Sequence, residues 1–281
     1  MAMHIQQLLI GIALAMPGIL PNGTTGAEAG QADLNIAIGV SPEGVTCVLG
    51  GALDGRMVAA KSLIPHLKHK QEYTLNRIGR SGPVAWAIGA PQPVSGEECE
   101  GEFEQELSLG PQELGRLQTA LLGNAQIVAR RLPVLMEQPA LENSIYETDV
   151  SMVLAKRGFP GQQVKLTQVI KTDLDGDGLV DVVINAIDTA RENARRGEYS
   201  ILLIKPGTGG TAVPVSVEVT EQDADLPSLL WENTVVSIAD LDGNGQMELV
   251  VYGSFYYGDG WQVYELKGFV PEVSLTCGCS G

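Results

Sequence analysis

Short runs of β-branched and aliphatic residues, broken by Gly, Pro and acidic turns, set the texture of most of this chain. Residues 34–40, 45–49 and 84–88 predict strands in the first part. The same texture returns at 151–155, 164–171, 180–186, 200–204, 213–219, 235–238, 249–252 and 262–266, which predict further strands, with a helical turn or two at 190–196. Residues 95–106 are acidic, interrupt the alternation and predict a surface loop. Between the two β-rich stretches, Leu114, Leu117, Leu121 and Leu122 follow Pro111 at helical spacing, which predicts a helical segment over 111–137 with a break near Pro133. The expected fold class is mainly β, a β-rich α+β chain of repeated antiparallel meanders. An N-terminal module at 30–110 and a helical connector at 111–149 would precede a repeat region at 150–281.

Within that last region a unit occurs twice. Val169-Ile170-Lys171-Thr172 leads into Asp173-Leu174-Asp175-Gly176-Asp177-Gly178, and Val236-Ser237-Ile238-Ala239 into Asp240-Leu241-Asp242-Gly243-Asn244-Gly245, 67 residues later. Apolar runs follow each, Val182-Val183-Ile184 and Leu249-Val250-Val251. Each unit reads as strand, acidic loop, strand, turn, strand, and a fixed period points to tandem supersecondary units.

Side-chain oxygens stand at loop positions 1, 3, 5 and 9: Asp173, Asp175, Asp177 and Asp181 in the first loop, Asp240, Asp242, Asn244 and Glu248 in the second. Calcium takes about six to eight oxygens at about 2.3–2.6 Å, and alternate spacing on a curling backbone turns every second side chain inward. Gly178 and Gly245 at position 6 permit the left-handed backbone such a curl needs, and Gly176 and Gly243 remove bulk at position 4. The backbone carbonyls of Leu179 and Gln246 at position 7 can add a ligand each. Carboxylates this crowded repel one another, and a bound divalent cation reverses the sign of that effect. The first loop, with four carboxylates against three, is expected to bind more tightly. A helix-loop-helix calcium hand is excluded by its missing bidentate Glu at position 12, where Ile184 and Val251 stand, and by β-rich flanks.

The pattern D-x-D-x-[DN]-G-x-x-[DE] between strands resembles the calcium loops of FG-GAP or VCBS-type repeats, the units of integrin-like β-propellers, over residues 164–266. The resemblance implies partial β-propeller blades, calcium that fixes the loops, and a blade surface used for recognition of an extracellular protein or glycan. It brings no enzymatic activity with it. A closed propeller needs at least four blades, and two such loops are present.

The formal net charge of −16 repels phosphate backbones and argues against nucleic acid. Residues 8–20 form an apolar run too short to span a bilayer as a helix, followed by Ala27-Glu28-Ala29, which predicts a signal peptide over 1–29 and an exported mature chain with no membrane span. Export places Cys47, Cys99, Cys277 and Cys279 in an oxidising compartment. Pairing Cys277 with Cys279 strains the disulfide geometry; the other two arrangements tie the C-terminal tail to the N-terminal half, and Cys-x-Cys is poorly spaced for zinc. His66 and His69 sit in a basic surface patch. Phe255-Tyr256-Tyr257 and Trp261 form an aromatic cluster, more in keeping with a core-facing hairpin than with a binding surface. The competing function is a secreted hydrolase with its active site in the N-terminal module, for which no nucleophile or base stands out.

Overall fold

A computed structural model describes residues 34–78, 80–96, 99–110, 120–124, 133–136, 145–190 and 193–280. The signal-peptide expectation over 1–29 lies outside them, as do Leu114 and Leu117. The strands are β1 (Leu34–Val40), β2 (Thr46–Leu53), β3 (Arg56–Ala59), β4 (Glu72–Arg77), β5 (Arg80–Trp86), β6 (Gln92–Pro93), β7 (Phe103–Glu104), β8 (Ala120–Gly123), β9 (Val134–Leu135), β10 (Leu166–Thr172), β11 (Asp181–Asp188), β12 (Tyr199–Lys205), β13 (Val213–Val219), β14 (Glu232–Ala239), β15 (Glu248–Phe255), β16 (Gly258–Lys267) and β17 (Val270–Ser280). Helix α1 (Ala60–Leu63) is a single turn and α2 (Tyr146–Lys156) has three. The protein is therefore mainly β.

Two of the sheets are antiparallel meanders built the same way, β10-β11-β12-β13, with β9 added at the β10 edge, and β14-β15-β16-β17. Each resembles an open propeller blade. The third sheet runs β3-β2-β1-β8-β4-β5 and is not a simple meander. Side-chain alternation stacks the three. Along β15, Leu249 and Val251 pack against Ile170, Val183, Leu202 and Ile204 of the first meander, whereas Val250 and Tyr252 pack against Ala37, Leu49 and Leu121 of the N-terminal sheet. Because the middle of the β14–β17 meander is covered on both faces, Leu249-Val250-Val251-Tyr252 of β15 reads as a continuous apolar run rather than an alternating one. The outer face of the first meander, including Ile184, Ile201 and Leu203, buries Tyr146, Val150 and Leu154 of α2.

That helix corrects the strand expected at 151–155. Tyr146, Asp149, Val150 and Leu154 are its buried residues, spaced to cover one helical face. Glu147 and Asp149 occupy the first turn and Lys156 the last, which complements the helix dipole. Over five residues, apolar and β-branched content does not separate the two periods. Leu121 and Leu122 went the other way. They lie in strand β8, fully buried, one facing the β14–β17 meander and the other the opposite core. Within 111–137 the described residues contain this strand and β9; the remainder of the expected helix lies outside them. The acidic stretch 95–106 is not all surface, since Cys99 and Gln105 are buried and Tyr73 donates a hydrogen bond to Gln105. Residues 193–196 form bend and turn rather than helix.

A polar seam joins the two meanders where β14 has an open edge. The Gln168 amide accepts from the Val235 N–H (2.9 Å) and donates to the Val235 carbonyl (3.0 Å), so one side chain replaces a neighbouring strand beside the β14 bulge. Asn185 donates to the Asn233 carbonyl at 2.5 Å. Gln168→Ala leaves two buried peptide groups unpaired, at about 1–3 kcal/mol each. A urea unfolding midpoint that falls correspondingly is the expected result.

The N-terminal half is also tied covalently to the C-terminal strand. Cys47 on β2 and Cys277 on β17 form a disulfide with Cα atoms 6.1 Å apart, one of the cross-chain pairings open in the sequence. Cys99 is disulfide-bonded as well, and none of the described cysteines is free.

Candidate metal centre

The two acidic loops connect β10 to β11 and β14 to β15, and their internal hydrogen bonding repeats position for position. The carboxylate at position 1 accepts two N–H groups. Asp173 takes those of Gly176 (2.7 Å) and Gly178 (3.1 Å); Asp240 takes those of Gly243 (2.7 Å) and Gly245 (2.9 Å). Position 3 accepts the N–H of position 5: Asp177 N–H to Asp175 at 3.1 Å, and Asn244 N–H to Asp242 at 3.0 Å. Position 5 accepts the N–H of position 7, from Leu179 to Asp177 (2.7 Å) and from Gln246 to Asn244 (2.6 Å). Glycine is needed at positions 4 and 6 in both loops, where φ lies between 77° and 88°.

Position 9 reaches back beneath the curl. Asp181 accepts the Leu174 N–H at 2.8 Å and Glu248 the Leu241 N–H at 2.6 Å, and both carboxylates are almost fully buried. The residue they hold, at position 2, is the anchor that sequence reasoning missed. Leu174 drives its side chain into the core between the two meanders, and Leu241 into the core under the N-terminal sheet. The Leu174 carbonyl accepts from Met247 N–H in the second loop (2.8 Å), and the Leu241 carbonyl from the Asn35 side chain on β1 (2.8 Å). The loops are thus wired in series, first to second and second to the N-terminal sheet. Leucine at position 2 of both repeats was the signal available in the sequence.

The position-9 residues differ by one methylene, with consequences. Asp181 spends its other oxygen on the Gly207 N–H at 2.7 Å, so the Pro206-Gly207 turn docks on the first loop. A Cβ on Gly207 would meet the Val180 carbonyl oxygen at 2.7 Å and the Leu179 Cβ at 2.9 Å. Gly207→Ala is expected to displace that turn, lower the melting temperature and weaken metal response at the first loop only, as read by calorimetric titration. Glu248, being longer, reaches the rest of its own cluster.

In the first loop, oxygens of Asp173, Asp175 and Asp177 lie within 4.8 Å of one another; in the second, those of Asp240, Asp242 and Glu248 do. Asp181 is not in the first trio, and Asn244 donates its amide to Asp242 at 2.9 Å. Burial is the main cause that raises the pKa values here. It pushes the Glu248 carboxyl up to about 8, against the opposing Leu241 N–H bond and with the charges of Asp242, Asp240 and Glu265 adding. Asp181 and Asp242 are raised by burial too, with Asp175 and Asp177 adding at the first and Asp240 at the second.

The donor set fits a hard divalent cation. It is all oxygen, three carboxylates converge in each loop, and oxygens that accept one N–H keep a further lone pair. The ion pairs among the described residues, Lys165–Asp188, Lys205–Asp149 and Lys267–Glu272, include none of these carboxylates. Buried negative charge without a cationic side chain is costly unless an ion supplies the counter-charge. No family model, curated protein or solved structure matches the chain.

Proposed function

We propose that this chain is an exported calcium-binding β-repeat protein whose loops are fixed by Ca2+ and whose stacked sheets present a surface for an extracellular protein or glycan. One observation carries the reading: two loops 67 residues apart share a single hydrogen-bond pattern, and each gathers three carboxylate oxygens that form no ion pair with a cationic side chain among the described residues. The resemblance to FG-GAP or VCBS-type repeats agrees with the meander that surrounds each loop.

Asp173, Asp175 and Asp177 would hold one ion, with Asp181 positioning the loop from below. Asp240, Asp242 and Glu248 would hold the other, with Asn244 beside them. The carbonyls of Leu179 and Gln246 complete the expected set. The ion supplies positive charge at the point where the loop crowds negative charge, and through Leu174 and Leu241 that stabilisation passes to the sheet interfaces. Export is supported by cysteines held as disulfides, which persist in oxidising compartments. Among the described residues no helix is long and apolar enough to cross a membrane.

The test is a thermal melt in calcium, magnesium and chelator, with metal analysis of the purified protein. At tenfold excess over its dissociation constant, each site adds about 1.4 kcal/mol. Calcium is expected to shift the melt upward more than magnesium, which demands near-octahedral geometry. Superimposable melts in calcium and chelator, with no metal retained, would sink the reading.

A further inference from the structure

Helix α2 and the edge strand β13 leave a trough between them, which encloses about 290 Å3. A cavity of about 150 Å3 holds benzene, so this one has room for about twice as many carbon atoms. Met152, Val153, Ala212, Pro214 and Val217 make its apolar wall. The α2 residues at 149, 152, 153 and 156 share one helical face. Val153, Ala212 and Val217 belong to the core under α2, whereas Met152 lies outside it and is 42% exposed. Its flexible, polarisable thioether suits a wall that adapts to what it meets.

The polar lining is one-sided. Asp149 is the one carboxylate among the lining residues, and it is already neutralised: both its oxygens accept from the Lys205 ammonium, at 3.0 and 2.7 Å. Lys156, Arg157 and Thr211 supply donors. Neither Lys156 nor Arg157 is in an ion pair among the described residues. Nor are their side chains needed to cap the helix. The Arg157 N–H bonds the Val153 and Leu154 carbonyls, the Gly158 N–H that of Ala155 and the Phe159 N–H that of Leu154. A cationic ligand is repelled by the pair. A neutral apolar ligand gains the wall alone, and a small inorganic anion gains only exposed charges, which are worth little. An anion on an apolar body gains both. The guanidinium fork fits carboxylate and phosphate alike, but the field of a chain with net charge −16 penalises a dianion more than a monoanion.

We propose that this trough binds a carboxylate on an apolar body of about eight carbons, with Met152, Val153, Ala212, Pro214 and Val217 around the chain and Lys156, Arg157 and Thr211 at the head. None of these residues belongs to either acidic loop, and the site does not require either loop to hold an ion.

The experiment is a saturation-transfer NMR titration of the full chain with octanoate, 1-octanol, octyl phosphate, octylammonium and acetate, in calcium and again in chelator. Octanoate is expected to bind saturably in both, about tenfold more tightly than octanol, the equivalent of about 1.4 kcal/mol, and more tightly than octyl phosphate. Acetate and octylammonium are expected to give no saturable transfer. Lys156→Gln and Arg157→Gln should each weaken octanoate about threefold, the order of one exposed ion pair, and leave octanol unchanged. Met152→Glu, at an exposed position, should abolish octanoate binding. Thermal melts that overlay the parent's show that each variant is folded, so that a lost signal reports the site. Octanoate binding no tighter than that of octanol, octyl phosphate or octylammonium overturns the proposal, as does undiminished octanoate binding by the Lys156→Gln, Arg157→Gln double variant. Binding that requires calcium would put the carboxylate at an acidic loop and overturn it too.

Discussion

Leu241→Ala is expected to lower the unfolding free energy by about 3–5 kcal/mol, the range for emptying a buried leucine site that cannot collapse. The side chain is fully buried between the N-terminal sheet and the β14–β17 meander, among Ala37, Leu49, Leu121, Val250 and Trp261. Rigid sheets on both sides limit relaxation, so most of the cavity should persist. The substitution keeps the peptide N–H that binds Glu248 and the carbonyl that binds Asn35, so the loss reports packing rather than hydrogen bonding. Leu241→Met, which nearly conserves volume, should cost less than about 1.5 kcal/mol. A calorimetric calcium titration of Leu241→Ala should show weakened binding at the second loop with the first retained. Urea unfolding that places the alanine variant within 1 kcal/mol of the parent, on the scale of that comparison, would show that position 2 is not the anchor.

The second large effect concerns acidity. In chelator, the protein is expected to lose stability as pH rises from about 4.5 to about 8, and Glu248→Gln should flatten much of that slope. The sign follows from linkage. Burial raises the folded-state pKa of Glu248 from 4.5 to about 8, so between those values the folded chain holds a proton that the unfolded chain has released. Stability is therefore complete below about 4.5 and declines until the folded carboxyl ionises. Asp181 and Asp242, raised in the same direction, steepen the decline and remain in the variant. Calcium favours the ionised cluster, so its stabilising effect should grow across the same window and be largest above pH 8. Melting temperatures across pH with calcium and with chelator, for the parent and Glu248→Gln, provide the check. Parallel slopes for the two proteins in chelator would remove Glu248 as the source.

Most strands of the repeat region were legible because their cues are local. The strand expected at 213–219 is observed there unchanged, and those at 164–171, 180–186 and 200–204 shift only at their ends. Failures came where two readings share one composition. Met152-Val153-Leu154 satisfies a buried helix face as well as a strand, and Leu121-Leu122 fits a strand covered on both faces as well as a helix. The two-residue strands β6, β7 and β9 gave too little signal, and so did three longer ones. β3 is short and half-exposed, β4 mixes charged and apolar residues, and β17 carries Pro, Gly and Cys that read as a tail. The aromatic hairpin was expected to face the core, yet Tyr256 and Tyr257 face solvent.

By itself the sequence determined the loops: the acidic residues at positions 1, 3, 5 and 9 and the glycines at 4 and 6 make a curl through contacts between residues a few positions apart, and that needs no distant partner. It also determined the antiparallel units around them, since alternation and turn residues act at short range. Only the tertiary structure decided which face of each sheet meets which neighbour, that Leu174 and Leu241 serve as anchors, that Gly207 docks on the first loop and that Cys47 finds Cys277. Each of those depends on residues brought together across long stretches of chain, where burial and shape, rather than local pattern, choose the partner.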